Sequence, residues 1–297
     1  MSAVLGPGTP SSSRDQAGPD RPAFSQPLSP NVTVIVPTRN SGRTIGACLA
    51  SLRAQSEQCM VVVVDNHSAD GTLAIARELA DRVVVSGPER SAQRNAGARL
   101  ASTPIVGFID ADMVLSPDVI SQVAEVLLDP TGHHPVGVVV AERSIGEGFW
   151  AAVRAFERSF YLGSDSIEAA RFFRREVFES IGGFDGSMPP GGEDWDLTQR
   201  ARHVGAIARI QAFIDHDEGR PGYLELCRKK AYYAGGLQAY IARYGFGSIA
   251  MLDRPYVRRP WVIGRQGWSL GAGLLALKFG EAGAVCMSLL RSRWARR

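Results

Sequence analysis

The chain has 297 residues, of which 45% are hydrophobic, 21% charged and 8% aromatic, and its formal net charge is +3. This composition is that of a folded globular chain, and the lack of a fixed glycine period or internal repeat excludes collagen-like and solenoid architectures. The near balance of charge excludes a chain that binds nucleic acid along its whole length. The four cysteines form no CxxC pair, so the sequence predicts no zinc or disulfide framework and favours a reducing compartment.

The N-terminal segment differs in composition from everything that follows it. Residues 1–30 hold six Pro, six Ser and three Gly, and they contain no apolar run. We therefore predict a disordered tail over residues 1–30 and expect no secretory signal peptide in it.

From residue 32 onward, short β-branched runs alternate with helical patterns, which is typical of βαβ units and a largely parallel sheet. Strands are predicted over residues 32–36, 60–64, 82–85, 105–109, 136–140, 169–173 and 206–214. Helices are predicted over residues 45–52, 72–80, 91–100, 117–128, 149–162, 193–204 and 222–243. The uninterrupted valines of the second strand predict burial on both faces. Polar clusters follow the strands, and in open α/β sheets ligands bind beyond the carboxyl ends of the strands.

One of these clusters, Asp110-Ala111-Asp112, has the chemistry of a metal site. Carboxylate oxygens suit Mg²⁺ or Mn²⁺, which proteins commonly share between one or two acids and substrate phosphates. The alternative is a turn that leads into the next helix, because Asp is common in turns and at helix starts. The triplet alone leaves both interpretations open.

The order and spacing of several motifs resemble the nucleotide-sugar half of a family 2 glycosyltransferase. These motifs lie at residues 34–40, 64–72, 94–97 and 110–112, and segments that resemble the acceptor side lie at residues 173–178, 182–185 and 192–196. The resemblance extends over residues 32–245. It implies an α/β fold of the GT-A nucleotide-diphosphosugar transferase type, with a mostly parallel central sheet flanked by helices.

The resemblance also implies which residues hold the nucleobase of the donor. Pro37 and Thr38, after the first strand, and the pair Asp65 and Asn66, after the second, match these positions. Family members often carry two aspartates where this chain has Asp65 and Asn66, so the division of labour between the two stays open. A UDP-sugar is the donor that this resemblance favours, and a turn carboxylate is the alternative role for Asp65.

A second group of residues is implied to hold the diphosphate and a divalent metal, Mn²⁺ or Mg²⁺. Arg94 matches a family arginine near the donor, and a guanidinium there, or that of Arg90, would bind phosphate oxygens in a fork. The alternative for both is an exposed helix face. Asp112 is implied as the direct metal ligand, Asp110 as a ribose or water-mediated contact, and His216 as a residue that completes the metal shell.

The acidic cluster at residues 193–196 is implied to serve the acceptor. Transfer to a hydroxyl needs a general base, and the family motif gives that role to Asp194. Glu193 and Trp195 are predicted on the acceptor side, with Asp196 as an acceptor contact or a helix support. The alternative for the acids is stabilisation by the helix macrodipole.

The C-terminal segment is basic, with nine Arg or Lys against two acids over residues 253–297, a net +7. Residues 268–290 are rich in Gly, Ala and Leu, but Lys278 and Glu281 interrupt them, which disfavours a membrane span. The basic flanks and the tryptophans predict a segment that lies on an anionic membrane surface. The alternative is a terminal helix pair that covers the catalytic domain.

The sequence therefore predicts one GT-A domain over residues 31–250 and a membrane-associating segment over residues 251–297. The expected function is metal-assisted, inverting transfer of a sugar to the hydroxyl of a glycan, a lipid-linked sugar or a small molecule. The expected location is the cytoplasm, peripheral on the inner face of the cell membrane. The alternatives are a non-catalytic sugar-nucleotide scaffold and a sugar-phosphate nucleotidylyltransferase, which would carry an early catalytic lysine, whereas the first lysine here is Lys229. A Rossmann dehydrogenase is disfavoured because no GxGxxG follows the first strand.

Overall fold

The structure is a computed structural model that describes residues 30–129, 131, 135–245, 255–264 and 267–294. The predicted tail, apart from residue 30, lies outside these residues. The strands are β1 (Val32–Thr38), β2 (Met60–Asp65), β3 (Arg82–Val85), β4 (Ile105–Phe108), β5 (Met113–Leu115), β6 (Gly137–Ile145), β7 (Phe172–Arg174) and β8 (Ile207–Asp217). The helices are α1 (Ile45–Arg53), α2 (Thr72–Leu79), α3 (Arg90–Ala98), α4 (Val119–Leu127), α5 (Gly148–Ser159), α6 (Arg175–Ser180), α7 (Glu193–Arg202), α8 (Tyr223–Tyr244), α9 (Pro255–Arg258) and α10 (Trp268–Trp294).

The strands form one sheet in the order β3-β2-β1-β4-β7-β6-β8-β5. Strands β3, β2, β1 and β4 are mutually parallel, and β6 and β8 are parallel to each other, whereas β7 and β5 run antiparallel to their neighbours. The predicted mostly parallel sheet is therefore confirmed. Because β1, β2 and β4 end on the same edge, the polar residues that follow them are gathered there.

The core lies on both faces of this sheet, and β2 shows why its run of valines is continuous. Val61 and Val63 pack into the apolar cluster on one face, whereas Val62 and Val64 pack into the cluster on the other. All four side chains are fully buried. An interior parallel strand covered by helices on both faces needs apolar residues at every position.

The structure differs from the predicted elements near the candidate site. The sequence predicts no element over Met113–Leu115, where the structure has the short strand β5, and β8 runs to Asp217 instead of ending at residue 214. The two strands pair antiparallel, with Met113 opposite His216. His216 therefore lies within a strand and not after one. A three-residue strand carries too little periodicity to be recognised from sequence, and it forms here because β8 supplies its partner.

The C-terminal helix α10 packs against α8 and α5. A third apolar cluster joins them, and it includes Val153 and Phe156 of α5, Leu226 of α8, and Leu274 and Leu277 of α10. Within the described residues, one stretch, Trp268–Ser288 in α10, is long and apolar enough to cross a membrane. The packing of α10 on the domain agrees with the alternative of a covering terminal helix, and its outer surface is considered below.

Candidate active site

An open cavity of about 770 Å³ lies at the carboxyl edge of the sheet, where β1, β2 and β4 end. The sequence-predicted residues that line this cavity are Pro37, Thr38, Asn66, Arg90, Asp110, Asp112, Glu193, Asp194, Trp195 and His216. Two predicted residues, Asp65 and Arg94, lie behind this lining. Predicted side chains that lie between Pro37 and His216 in the sequence therefore meet in one cleft at this edge.

Thr38, the last residue of β1, and Asn66, which follows β2, line one part of the cavity, which we call the pocket. The hydroxyl Oγ1 of Thr38 is buried and has no hydrogen-bond partner, which leaves it for a ligand. Asn66 lines the pocket and donates from Nδ2 to the carbonyl of Pro88 at 2.8 Å. Asp65 is fully buried, and its carboxylate accepts hydrogen bonds from the backbone and hydroxyl of Ser68. Of the predicted pair, Asn66 therefore faces the pocket and Asp65 supports the turn beneath it.

Arg94 links two segments of the site that are a hundred residues apart in sequence. It is fully buried, and its Nη1 donates to Asp194 at 2.8 Å while its Nη2 donates to Asp110 at 2.7 Å. A buried guanidinium is tolerated only when its charge is paired in this way. Burial by itself would raise the pKa of Asp110, but Arg94 and Arg171 hold it well below its usual range. Both carboxylates are therefore fixed by the protein before any ligand arrives.

Two residues of the site were not expected from the sequence, Arg171 just before β7 and Glu142 in β6. Arg171 Nη2 lies 2.7 Å from Glu142, and its Nη1 lies 3.7 Å from both Asp110 and Asp194. That Nη1 is buried without a hydrogen-bond partner. In the sequence, Glu142 and Arg171 each lie next to an apolar run that forms a strand. A charged residue in that position is the signal that could have indicated a side chain facing the site. The position of Arg171 suits it to bind an oxygen atom of a ligand between the two aspartates.

Asp112 and His216 form the part of the site that fits a divalent metal. The β5–β8 pairing brings His216 Nε2 to 3.2 Å from Asp112 Oδ2, and the Asp217 amide donates to the Asp112 carbonyl at 2.8 Å. The buried Nδ1 of His216 has no hydrogen-bond partner and lies 3.8 Å from Glu142. Burial would lower the pKa of His216, but the carboxylates of Asp112 and Glu142 raise it to about 9.

The protein atoms available as metal ligands suit a metal ion that is also bound by the substrate. In the described part of the chain, no group of three or more His, Cys, Asp or Glu side chains is arranged to hold a metal. A carboxylate and an imidazole would supply two ligands, and phosphate oxygens of a substrate would supply others, as is common for Mg²⁺ and Mn²⁺. Metal binding would compete with the proton on His216, since only the neutral imidazole ligates.

The loop before α7 fixes the start of that helix against α8. The backbone of residues 189–192 lies so close to α8 that a Cβ on Gly192 would sit 2.5 Å from the Gly236 carbonyl. Gly191 also has a left-handed φ of +98°. Glu193 accepts hydrogen bonds from the amides of Gly191 and Gly192 and pairs with Arg90 at 3.3 Å. Glu193 thus holds the loop and leaves Asp194, whose side chain is 30% exposed, facing the cavity.

Of the next two residues of α7, Asp196 is buried in the protein and Trp195 lines the cavity. Asp196 is fully buried and pairs with Arg200 and Arg243, each at 2.7 Å, so it supports the helix. Trp195 lines the cavity, and its Nε1 donates to the carbonyl of Ile167 at 2.8 Å. The tryptophan is therefore anchored at its polar edge, with part of its ring available to a ligand.

Comparison with known proteins identifies the family. A model of Glycosyl transferase family 2 matches residues 33–182, which is half of the chain. The pre-mycofactocin glycosyltransferase of Mycobacterium tuberculosis is 27% identical over 292 residues, which covers 91% of this chain and 58% of that protein. The validoxylamine A glucosyltransferase of Streptomyces hygroscopicus subsp. jinggangensis is 29% identical over 222 residues, covering 58% of this chain and 51% of that protein. The chain spans little more than half the length of these two relatives.

Solved structures share the fold at low sequence identity. Staphylococcus aureus TarS 1-349 in complex with UDP-GlcNAc has a TM-score of 0.52 at 18% identity, covering 89% of this chain and 92% of that one. The mannosyltransferase PcManGT from Pyrobaculum calidifontis, in complex with GDP-Man and Mn²⁺, has a TM-score of 0.51 at 22% identity, covering 91% and 82%. These likenesses show an α/β fold of the GT-A type. The chain belongs to glycosyl transferase family 2.

Proposed function

We propose that this protein is a glycosyltransferase that moves a sugar from a nucleotide-diphosphate donor, a UDP-sugar, to an acceptor hydroxyl with inversion. The observation that carries the proposal is the meeting of Asp194, Asp110 and the Asp112–His216 pair in one cavity at the carboxyl edge of the sheet. Family membership supports the reaction type, and the relatives named above carry it in their names. The pocket beside Thr38 and Asn66 suits the nucleobase.

The proposed mechanism is a single displacement. Asp194 takes the proton from the acceptor hydroxyl as its oxygen bonds to the anomeric carbon, and the bond from that carbon to the diphosphate oxygen breaks. A divalent cation held by Asp112 and His216 would neutralise charge on the departing diphosphate. The Nη1 of Arg171 would hold an oxygen of the substrate between Asp110 and Asp194. Arg94 orients Asp194 through their 2.8 Å hydrogen bond without contacting the substrate.

Titration calorimetry with a panel of nucleotide sugars, with and without Mn²⁺, tests the donor and the metal together. We expect one UDP-sugar to bind, and Mn²⁺ to strengthen its binding because the diphosphate otherwise faces the charges of Asp110 and Asp112. The substitution Asp112→Asn should remove the Mn²⁺-dependent part of the affinity. The control Asp215→Asn removes a carboxylate of β8 that pairs with Arg143 outside the cavity, and it should leave binding unchanged.

Three outcomes would contradict parts of this proposal. If no nucleotide sugar binds under any condition, the proposed donor chemistry is wrong. Undiminished Mn²⁺-dependent affinity in Asp112→Asn would remove Asp112 from the metal shell. Preference for a GDP-sugar would correct the nucleotide and leave the reaction class standing.

We further propose that the enzyme works in the cytoplasm, peripheral on the inner face of the membrane. The support is the net charge of +7 over residues 253–297, which suits anionic lipid headgroups. Its acceptor is a hydroxyl of a glycan, a lipid-linked sugar or a small molecule, and no nucleic-acid partner is proposed.

A further inference from the structure

The two charged residues in the middle of α10 face the protein and not the solvent. Lys278 forms ion pairs with Glu157 of α5 and, at 2.7 Å, with Glu281. Arg154 of α5 lies 4.0 Å from Glu281, which is itself buried. The charges that interrupt the apolar sequence of α10 therefore belong to a buried ion-pair cluster between α5 and α10.

Close packing of small residues fixes the rotation of α10 about its axis. A Cβ on Gly273 would lie 2.7 Å from Phe149 and Val153, so α10 approaches α5 through the bare backbone of this glycine. Leu274 and Leu277 are fully buried on the same side of the helix. Because both apolar packing and ion pairs hold this side inward, the opposite side is fixed outward.

That outward side is apolar along its described length. We call residues Trp268, Ala272, Leu275, Phe279, Ala282 and Cys286 the outer face of α10; all six are exposed. Their spacing alternates between four and three, which places them along one line of the helix. The exposed fraction is 88% for Trp268, 55% for Leu275 and 85% for Phe279. Among the described side chains of α10, no charged one is exposed.

The excess positive charge of this segment lies, in sequence, on both sides of the central part of α10. Lys278 and Glu281 cancel each other, so the net +7 of residues 253–297 comes from arginines before and after the central part of α10. Of these, Arg258 and Arg259 are exposed, and Trp261 near them is 69% exposed. An apolar stripe with basic and aromatic residues at its ends is the pattern of a helix that lies in the interface of an anionic membrane.

We propose that the outer face of α10 docks onto a bilayer of anionic phospholipid, with the helix lying in the plane of the membrane and the domain above it. This inference rests on the peripheral location proposed above and is independent of the transferase chemistry. Spanning would require α10 to leave its ion pairs and carry Lys278 and Glu281 into lipid, which is costly. Pairing with a second copy would bring two segments of +7 together, whereas anionic headgroups complement that charge.

This pose has a consequence for the substrate cavity. Glu281, on the inner side of α10, lines that cavity together with Arg154 of α5 and Lys229 of α8. One wall of the cavity would therefore lie within about 10 Å of the headgroups, the diameter of one helix. An acceptor carried on a lipid could reach the cavity without leaving the membrane.

Sedimentation of the full chain with phosphatidylcholine vesicles, with and without phosphatidylglycerol, tests the pose. We expect binding only with phosphatidylglycerol, and we expect it to weaken as salt is raised. In Phe279→Asp, vesicle affinity should fall about tenfold or more, because an aromatic side chain that would insert into the lipid is replaced by a charge. The matched control Val204→Asp changes an exposed apolar residue outside α10 and should bind as the wild type does.

Equal binding by Phe279→Asp and the wild type, or no binding by the wild type, would overturn the proposal. A dimer in analytical ultracentrifugation that Phe279→Asp dissociates, together with no vesicle binding, would assign the outer face to a second copy. Calorimetric donor binding, measured on the same samples, separates the two proposals: vesicle binding without donor binding would refute the donor chemistry alone.

Discussion

In the proposed mechanism, the ion pair between Arg94 and Asp194 positions the general base. A general base must be ionised at neutral pH and must point at the proton that it takes. The 2.8 Å hydrogen bond from Arg94 meets the second need, because it fixes the orientation of the Asp194 carboxylate, and the same arginine also holds Asp110.

Asp194→Asn should separate binding from chemistry. The amide oxygen can still accept from Arg94 but cannot take a proton at neutral pH, so turnover should fall by roughly 10²–10⁴-fold. Donor affinity should change little, since Thr38, Asn66 and Asp112 lie on other segments. Steady-state kinetics and calorimetry on the same preparation measure the two quantities.

The control for this variant is Asp118→Asn, an exposed acid at the N-cap position of α4 that makes no capping hydrogen bond. It tests the loss of a helix-start carboxylate by itself, and we expect no change in turnover. If Asp194→Asn transfers sugar at a near wild-type rate, Asp194 is only a carboxylate at the start of a helix and not the general base.

At the scale of elements, the charged contacts between α5 and α10 are a buried cluster and not a set of surface pairs. Glu157 of α5 is almost fully buried, and it accepts from Arg154, Lys278 and Tyr161. Burial alone would raise the pKa of Glu157, but Arg154 and Lys278 hold it well below its usual value. Removing one partner of such a cluster leaves uncompensated charge in the protein interior.

The cluster should make the attachment of α10 sensitive to acid. A carboxylate whose pKa is depressed by folding stabilises the fold above its ordinary pKa, near 4.5 for glutamate, and that stability is lost as the pH falls toward the folded value. Glu157→Gln should lower the free energy of unfolding by ~3 kcal/mol at pH 7 and flatten its decline between neutral pH and acid. Thermal unfolding across that range measures both effects.

Glu179→Gln provides the comparison, since Glu179 forms an exposed pair with Arg175 four residues earlier in the chain. Exposed pairs of this kind contribute little to stability. The free energy of unfolding of Glu157→Gln could instead fall with pH as steeply as that of Glu179→Gln and of the wild type. That result would mean that the cluster does not control stability in acid.

At the scale of the whole molecule, α10 belongs to the folded domain even though it follows the central sheet in sequence. Its leucines Leu274 and Leu277 complete an apolar cluster with Val153, Phe156 and Leu226. A membrane anchor attached by a linker would share no core with the catalytic domain. Removal of the segment should therefore affect the fold as well as membrane binding.

A chain that ends at residue 253 should unfold at a temperature about 10 °C lower, or more, because two buried leucines and their partners lose their contacts. Phe279→Asp should keep the melting temperature of the wild type, since that side chain touches solvent. Scanning calorimetry of the three proteins checks this. Equal melting temperatures for the truncated and full chains would show that α10 is an independent segment.

Patterns in the sequence were sufficient to predict the sheet, the family and most of the residues that line the cavity. The alternation of β-branched runs with helical patterns is a local signal, and it predicted strands such as β2 because an interior strand must be apolar throughout. The polar residues after those strands were predicted to meet because parallel strands end on one edge. Local pattern and strand direction were sufficient for these conclusions.

Which of those residues face the cavity and which support it depends on contacts between distant parts of the chain. The ion pairs from Arg94 to Asp110 and Asp194, and the short strand that brings His216 to Asp112, join residues about 16 to 104 positions apart. The same is true of α10, whose Lys278 and Glu281 interrupt an apolar segment in the sequence but pair with Glu157 and Arg154 of α5 in the structure. Burial and charge pairing depend on neighbours in space, and a sequence lists only neighbours along the chain.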